Sequence, residues 1–185
     1  MNTTATLRAI ACLWLCGLTP SANAALALKV GDKAPLFSAS TQDGTVFDLA
    51  SREGKGWTVV YFYPMADTPG CTKQACAFRD AIKPIRELGA EVIGISADSV
   101  ADQKAFHKKY SLNFDLIADQ DGKIVASYGA AMPLTVRSKR WTFLVDRRLV
   151  IRWIETDVDP MLDAQRIKDK IQELSKAEPL KEGKT

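Results

Sequence analysis

The stretch YFYPMADTPGCTKQAC, Tyr61 to Cys76, joins an apolar run to a turn and then to two cysteines five positions apart. The apolar part belongs to Trp57–Tyr63, β-branched and aromatic throughout, as a strand buried on both faces would be. The turn ends in Thr68-Pro69-Gly70. Thr68 suits a helix N-cap, and Pro69 suits the first helical position because its missing N–H would be unpaired there anyway. Gly70 allows close backbone approach. A helix is therefore predicted from about Pro69, with Cys71 in its first turn. Unpaired N–H groups and the positive end of the helix dipole favour thiolate over thiol at that position. The Thr68 hydroxyl is placed to hydrogen-bond the sulfur or a bound oxygen. The site is built for a nucleophilic cysteine.

Cys76 lies five residues further along the same helix. At the rise and rotation of an α-helix, the two Cα atoms stand roughly 8–9 Å apart on different faces. A disulfide needs less than about 7 Å. The thiols can pair only if the first turns unwind, which suits a reaction cycle better than a structural staple. A bridge closing so short a loop would also remove little unfolded-state entropy.

Outward from this stretch, strands and helices alternate. Lys29 to Leu49 contains a Pro35 turn and a hairpin signal at Asp43-Gly44. Glu91–Ile95 reads as a second buried strand. Asp98-Ser99 can cap a helix running to about Tyr110, with Ala101, Ala105 and Phe106 expected inward. Phe114–Ala118 is a short strand and Lys123–Tyr128 a short helix. Trp141–Val145 and Val150–Glu155 form a hairpin around Asp146-Arg147-Arg148. An amphipathic segment from Pro160 to Leu174 follows, and Pro84 is expected to kink or break the helix that Cys71 starts. The pattern is α/β: a central mixed β-sheet flanked by helices, with the late hairpin supplying antiparallel strands. Functional residues in such sheets gather where strands end in loops that lead into helices.

The first 24 residues differ from the rest. They hold one basic residue, Arg8, no acid, and a ten-residue apolar core from Ala9 to Leu18, too short to span a bilayer. Ala22-Asn23-Ala24 ends the segment as a signal-peptidase site would. The expected organisation is a signal peptide over 1–24, one domain over 25–176 and a polar tail over 177–185, in a protein exported to the bacterial periplasm. Cys12 and Cys16 leave with the signal peptide, so Cys71 and Cys76 are the cysteines of the mature chain. A net charge of +3, scattered along the chain, argues against a nucleic-acid surface. The single histidine, His107, rules out most multi-histidine metal sites.

Pro64-x-x-x-Thr68-x-x-Cys71 resembles the active-site motif of the peroxiredoxins. Thr68-Pro69-Gly70-Cys71-Thr72, followed by Cys76 and Phe78-Arg79-Asp80, is similar to their Q-type branch, also called bacterioferritin comigratory protein. The resemblance runs from about Val30 to Ile171. It implies a thioredoxin-like fold and thiol-dependent reduction of hydroperoxides. By that match Cys71 is peroxidatic, Cys76 is resolving, and the two form an intramolecular disulfide. Thr68 and Pro64 shape the pocket. The family's second active-site arginine lies in the pattern R-x-[ST]-F, here Arg140-Trp141-Thr142-Phe143, and Gln74 stands where the branch commonly has Glu or Gln. The segment between Gly129 and Arg140 is shorter than in some members.

The resemblance further implies hydroperoxide as substrate, a thioredoxin-like reductant as partner, and a chain that is a monomer or a weak homodimer. No metal or organic cofactor, nucleic acid or membrane is required. Two alternatives share the fold. A periplasmic dithiol oxidoreductase would carry Cys-x-x-Cys, which is absent. A copper-handling protein would carry Cys-x-x-x-Cys and a distant histidine, whereas this spacing is one residue longer and His107 sits beside Lys108 and Lys109.

Overall fold

The computed structural model describes residues 27–177. The proposed signal peptide and its cleavage site, and the polar tail after Ala177, lie outside those residues. A small antiparallel pair, β1 (Ser38–Ser40) and β2 (Val46–Asp48), comes first, closed by the Asp43-Gly44 turn. The main elements follow as β3 (Trp57–Phe62), α1 (Pro69–Glu87), β4 (Ala90–Ser96), α2 (Val100–Lys109), β5 (Asp115–Ala118), α3 (Lys123–Ser127), β6 (Trp141–Val145), β7 (Ile151–Glu155) and α4 (Asp163–Ala177).

The main sheet has the order β5-β4-β3-β6-β7. β3 pairs parallel with β4 and antiparallel with β6, so the sheet is mixed. Both faces of β3 are buried, and its side chains divide by parity. Val59, Tyr61 and Tyr63 pack towards α1 and α4, while Val60 and Phe62 pack on the opposite side with Ile124, Val125 and Tyr128. Tyr61 stacks on Phe78 of α1 at 4.8 Å between ring centroids, a contact worth about 0.5–1.5 kcal/mol beyond its area. Its register partner in β4 is Gly94, where an added Cβ would come within 2.6 Å of the Tyr61 ring. Only a glycine leaves room for that tyrosine.

Two local expectations are corrected. In α2 the inward residues are Gln103 and Phe106, whereas Ala101 and Ala105 are exposed. Gln103 is drawn in because all its polar atoms find partners. Its amide donates to Ser96 Oγ at 2.7 Å and to the Ile117 carbonyl, and its oxygen accepts from the Tyr63 hydroxyl. A satisfied amide can be buried, and two small alanines offer less area to hide. Of the kink or break expected at Pro84, the break does not occur: α1 continues to Glu87. Ile82 and Ile85 flank the proline and are buried in the core, so their packing offsets the lost backbone bond, a cost of about 3 kcal/mol.

Candidate active site

The active-site candidates come from two segments that the sheet brings side by side. β3 leads through residues 63–68 into α1, while Arg140 immediately precedes β6. Because β6 runs antiparallel to β3, with Trp141 opposite Phe62, the start of β6 lies at the end of β3. Arg140 therefore arrives at the first turn of α1.

The loop between β3 and α1 is fixed from outside. The Ala66 N–H donates to Asp98 Oδ2 at 2.7 Å, and Ser96 Oγ donates to the same oxygen at 2.6 Å. Asp67 adopts φ 57°, and its carboxylate accepts from Lys109 Nζ at 2.6 Å and from the Tyr110 hydroxyl at 2.6 Å. Those two donors hold the Asp67 carboxyl below its usual range. Pro64 is half-buried within this loop.

Thr68 has the extended backbone of an N-cap, φ −88° and ψ 153°, but its hydroxyl does not cap the helix. It donates instead to the Met65 carbonyl at 3.0 Å, closing the turn. The first helical bond is the Thr72 N–H to the Thr68 carbonyl at 2.8 Å. By helix geometry the N–H groups of Gly70 and Cys71 have no intrahelical acceptor.

Cys71 is 2% exposed, and Arg140 Nη2 donates to its sulfur at 3.4 Å. Arg140 Nη1 donates to Gln74 Oε1 at 2.6 Å, one turn further along α1. Gly70 makes room for this guanidinium: a Cβ there would lie 3.1 Å from Nη2. Cys76 is half-buried, and both cysteines are free thiols in the intact helix.

The chain of hydrogen bonds continues to a residue that sequence reasoning missed. Gln74 Nε2 donates to Asp163 Oδ2 at 2.6 Å, and Thr142 Oγ1 donates to the same oxygen at 2.8 Å. Asp163 is wholly buried in the first turn of α4. Burial pushes its carboxyl from 3.8 up to about 6; the Gln74 and Thr142 bonds and the Arg140 charge oppose that rise, and Glu155 adds to it. Tyr61 approaches the same site from β3, and burial raises its phenol well above the ordinary value. Among the described residues neither the Tyr61 hydroxyl nor Asp163 Oδ1 has a hydrogen-bond partner. An acid 92 positions from Cys71, in an unremarkable amphipathic helix, carries no local signal.

No group of three or more His, Cys, Asp or Glu stands ready to hold a metal ion among the described residues. No helix there is long and apolar enough to cross a membrane. The arrangement is a buried thiol at a helix start, faced by a guanidinium, with a second thiol down the helix. It can stabilise negative charge on sulfur and on an oxygen brought against it.

A family model for the AhpC/TSA family matches residues 30–154. The chain is 44% identical over 125 residues to a chloroplastic peroxiredoxin Q of Oryza sativa subsp. japonica, covering 67% of this chain and 57% of the rice protein. It thus spans little more than half the length of that relative. A protein of Coxiella burnetii described as a peroxiredoxin bcp is 39% identical over 142 residues, covering 72% of this chain and 93% of its own. Among solved structures, a peroxidoxin BcpB of Mycobacterium tuberculosis superposes with TM-score 0.76 at 31% identity, covering 80% of this chain and 98% of the other. A peroxiredoxin Q of Xanthomonas campestris gives TM-score 0.70 at 25% identity, covering 74% and 90%. The fold is thioredoxin-like, and the chain belongs to the AhpC/TSA family, beside the peroxiredoxin Q and bcp proteins.

Proposed function

We propose that this protein is a thiol-dependent peroxidase that reduces hydrogen peroxide and organic hydroperoxides. The observation that carries the reading is the Arg140 guanidinium against the buried Cys71 sulfur at the start of α1. The Cys71 thiolate attacks the terminal oxygen of ROOH. The S–O bond forms as the O–O bond breaks, and the departing alkoxide takes a proton to leave as ROH. Negative charge spreads over sulfur and two oxygens in the transition state. Arg140 and the free N–H groups of the first turn are positioned where that charge develops. Pro64 limits the access of water to the sulfur, and the Thr68 hydroxyl keeps lone pairs free to accept from the peroxide.

The second half of the cycle needs α1 to open. The Cys76 thiolate attacks the Cys71 sulfenic acid, the S–S bond forms, and hydroxide leaves as water after protonation. A thioredoxin-like dithiol then reduces the Cys71–Cys76 disulfide by exchange. The signal-peptide pattern over 1–24 supports a periplasmic location, where this activity would serve antioxidant defence. A monomer or weak homodimer suffices, because every residue invoked lies on one chain.

Peroxide consumption with a panel of dithiol donors tests the assignment. The wild type should turn over with at least one thioredoxin-like donor, and Cys71→Ser should be inactive. More than a trace of thiol-dependent activity in that variant would overturn it. Disulfide transfer to unfolded substrates without peroxide consumption would favour the dithiol oxidoreductase instead.

A further inference from the structure

We propose that Asp163 is a positioning residue: through the Gln74 amide, its carboxylate fixes the Arg140 guanidinium against the Cys71 sulfur. The inference rests on the peroxidase reading for its kinetic consequence and on geometry for the rest. Three elements meet at this acid. Gln74 reaches it from α1, Thr142 from β6, and Asp163 itself opens α4. Arg140, just before β6, and Thr142, its second residue, both reach this network, Arg140 through Gln74 and Thr142 directly.

The chemistry at the two ends of Gln74 leaves one orientation for its amide. A guanidinium only donates, so the amide oxygen must face Arg140. An ionised carboxylate only accepts, so the amide nitrogen must face Asp163. Both bonds are 2.6 Å. The amide is thus a spacer between a cation and an anion. A direct carboxylate–guanidinium pair would draw Arg140 away from the sulfur. With the amide between them, Asp163 anchors the arginine and leaves Nη2 free to meet Cys71 at 3.4 Å.

Protonation undoes the anchor. A proton on Asp163 Oδ2 would oppose a donor to the Gln74 donor. A proton on Oδ1 would sit on the oxygen that lacks a partner and weaken Oδ2 as an acceptor. The groups facing the carboxylate are Gln74 of α1, Tyr61 of β3, Arg140 and Thr142 of the β6 segment, and Glu155 of β7. Arg140 and the hydrogen bonds favour the anion, whereas burial and Glu155 favour the acid, which places the transition at about 6. Below that value Arg140 should lose its fixed orientation.

The test uses the full chain, rapid mixing with hydrogen peroxide, and the ultraviolet absorbance of the thiolate to divide each rate by the thiolate present. In the wild type the rate per thiolate should fall as pH drops through about 6. Asp163→Asn keeps an acceptor oxygen and cannot titrate, so its rate per thiolate should be flat there. Asp163→Ala and Gln74→Ala should each slow the peroxide step roughly tenfold, and the double variant should be no slower than Gln74→Ala alone. Should Asp163→Ala fail to fold, the Asp163→Asn profile decides. Nuclear magnetic resonance of the Arg140 guanidinium, which needs no turnover, should show a pH-dependent shift near 6 in the wild type and none in Asp163→Asn.

The inference is overturned by a wild-type pH limb retained in Asp163→Asn, by an undiminished rate in Asp163→Ala, or by multiplicative losses in the double variant. A wild type that consumes no peroxide sinks the peroxidase reading alone. The guanidinium resonances then still decide whether Asp163 holds Arg140.

Discussion

Arg140 Nη2 lies 3.4 Å from Cys71 Sγ, although 69 positions separate the two residues in sequence. The antiparallel pairing of β6 with β3 closes that separation. Arg140→Met keeps the length and apolar stem of the side chain and removes its donors. The peroxide step should slow by about 30- to 1000-fold, the equivalent of about 2–4 kcal/mol. Stopped-flow oxidation of the reduced protein reads this step directly. An unchanged rate constant would move the role to Arg137 or Lys139.

Gly70 separates geometry from stability. A Cβ there would meet Arg140 Nη2 at 3.1 Å and Cζ at 3.8 Å. The guanidinium has little freedom to retreat, because Nη1 is held by Gln74. Gly70→Ala should change stability little, because a helix-propensity gain of up to about 1 kcal/mol is offset by the crowded guanidinium and its strained bond to Gln74. The displaced guanidinium should nevertheless slow the peroxide step about 3- to 10-fold. Paired denaturation and stopped-flow curves check both effects. A destabilised variant with full activity would contradict the contact.

What was legible in the sequence was whatever has a local period or a contiguous motif. Trp57–Tyr63 reads as a doubly buried strand from its run of β-branched and aromatic residues, and the hairpin between β1 and β2 reads from Asp43-Gly44. Cys71 and Thr68 stand in a single motif, so their shared junction was visible at once. Arg140 was found only by resemblance, because nothing local distinguishes it from a surface arginine. Asp163 and Gln103 were missed for one physical reason. Apolar periodicity ranks polar residues as exterior, and a buried polar side chain is bought by partners far away in sequence. Thr68 misled in the opposite way: its N-cap backbone is present, but its hydroxyl closes the loop onto Met65.

The buried acid should leave a mark on stability. Asp163 titrates at about 6 in the folded chain and at 3.8 when exposed. Between those values the folded state binds more protons than the unfolded state, so stability falls as pH rises through that window. Above the folded value the loss is complete, about 3 kcal/mol. Asp163→Asn has no such ionisation. Relative to the wild type it should therefore gain about 3 kcal/mol between pH of about 4 and about 8, whatever its own amide costs. Denaturant midpoints across that range measure the difference. A gap that stays constant with pH would contradict the burial of an ionising carboxylate.

The five-residue spacing sets the last expectation. Cys71 and Cys76 sit in one intact helix as free thiols, roughly 8–9 Å apart by helix geometry, beyond the reach of a disulfide. Bond formation must melt the start of α1. Gln74 and Ala75 are buried in that segment, so opening breaks the Gln74 links to Arg140 and Asp163. Further along, Phe78 is stacked on Tyr61, and Ile82 and Ile85 are in the core. Those anchors should stop the unwinding before Phe78. In hydrogen exchange, amides 72 to 77 should lose protection in the disulfide form, while those from Ile82 onward keep it. Terminal turns open at a cost of a few kcal/mol at most, so the step is accessible while the fold stays intact. The same opening competes with a second peroxide, which would carry an unresolved sulfenic acid to sulfinic acid. Equal protection of amides 72 to 77 in the reduced and disulfide forms would exclude the unwinding mechanism.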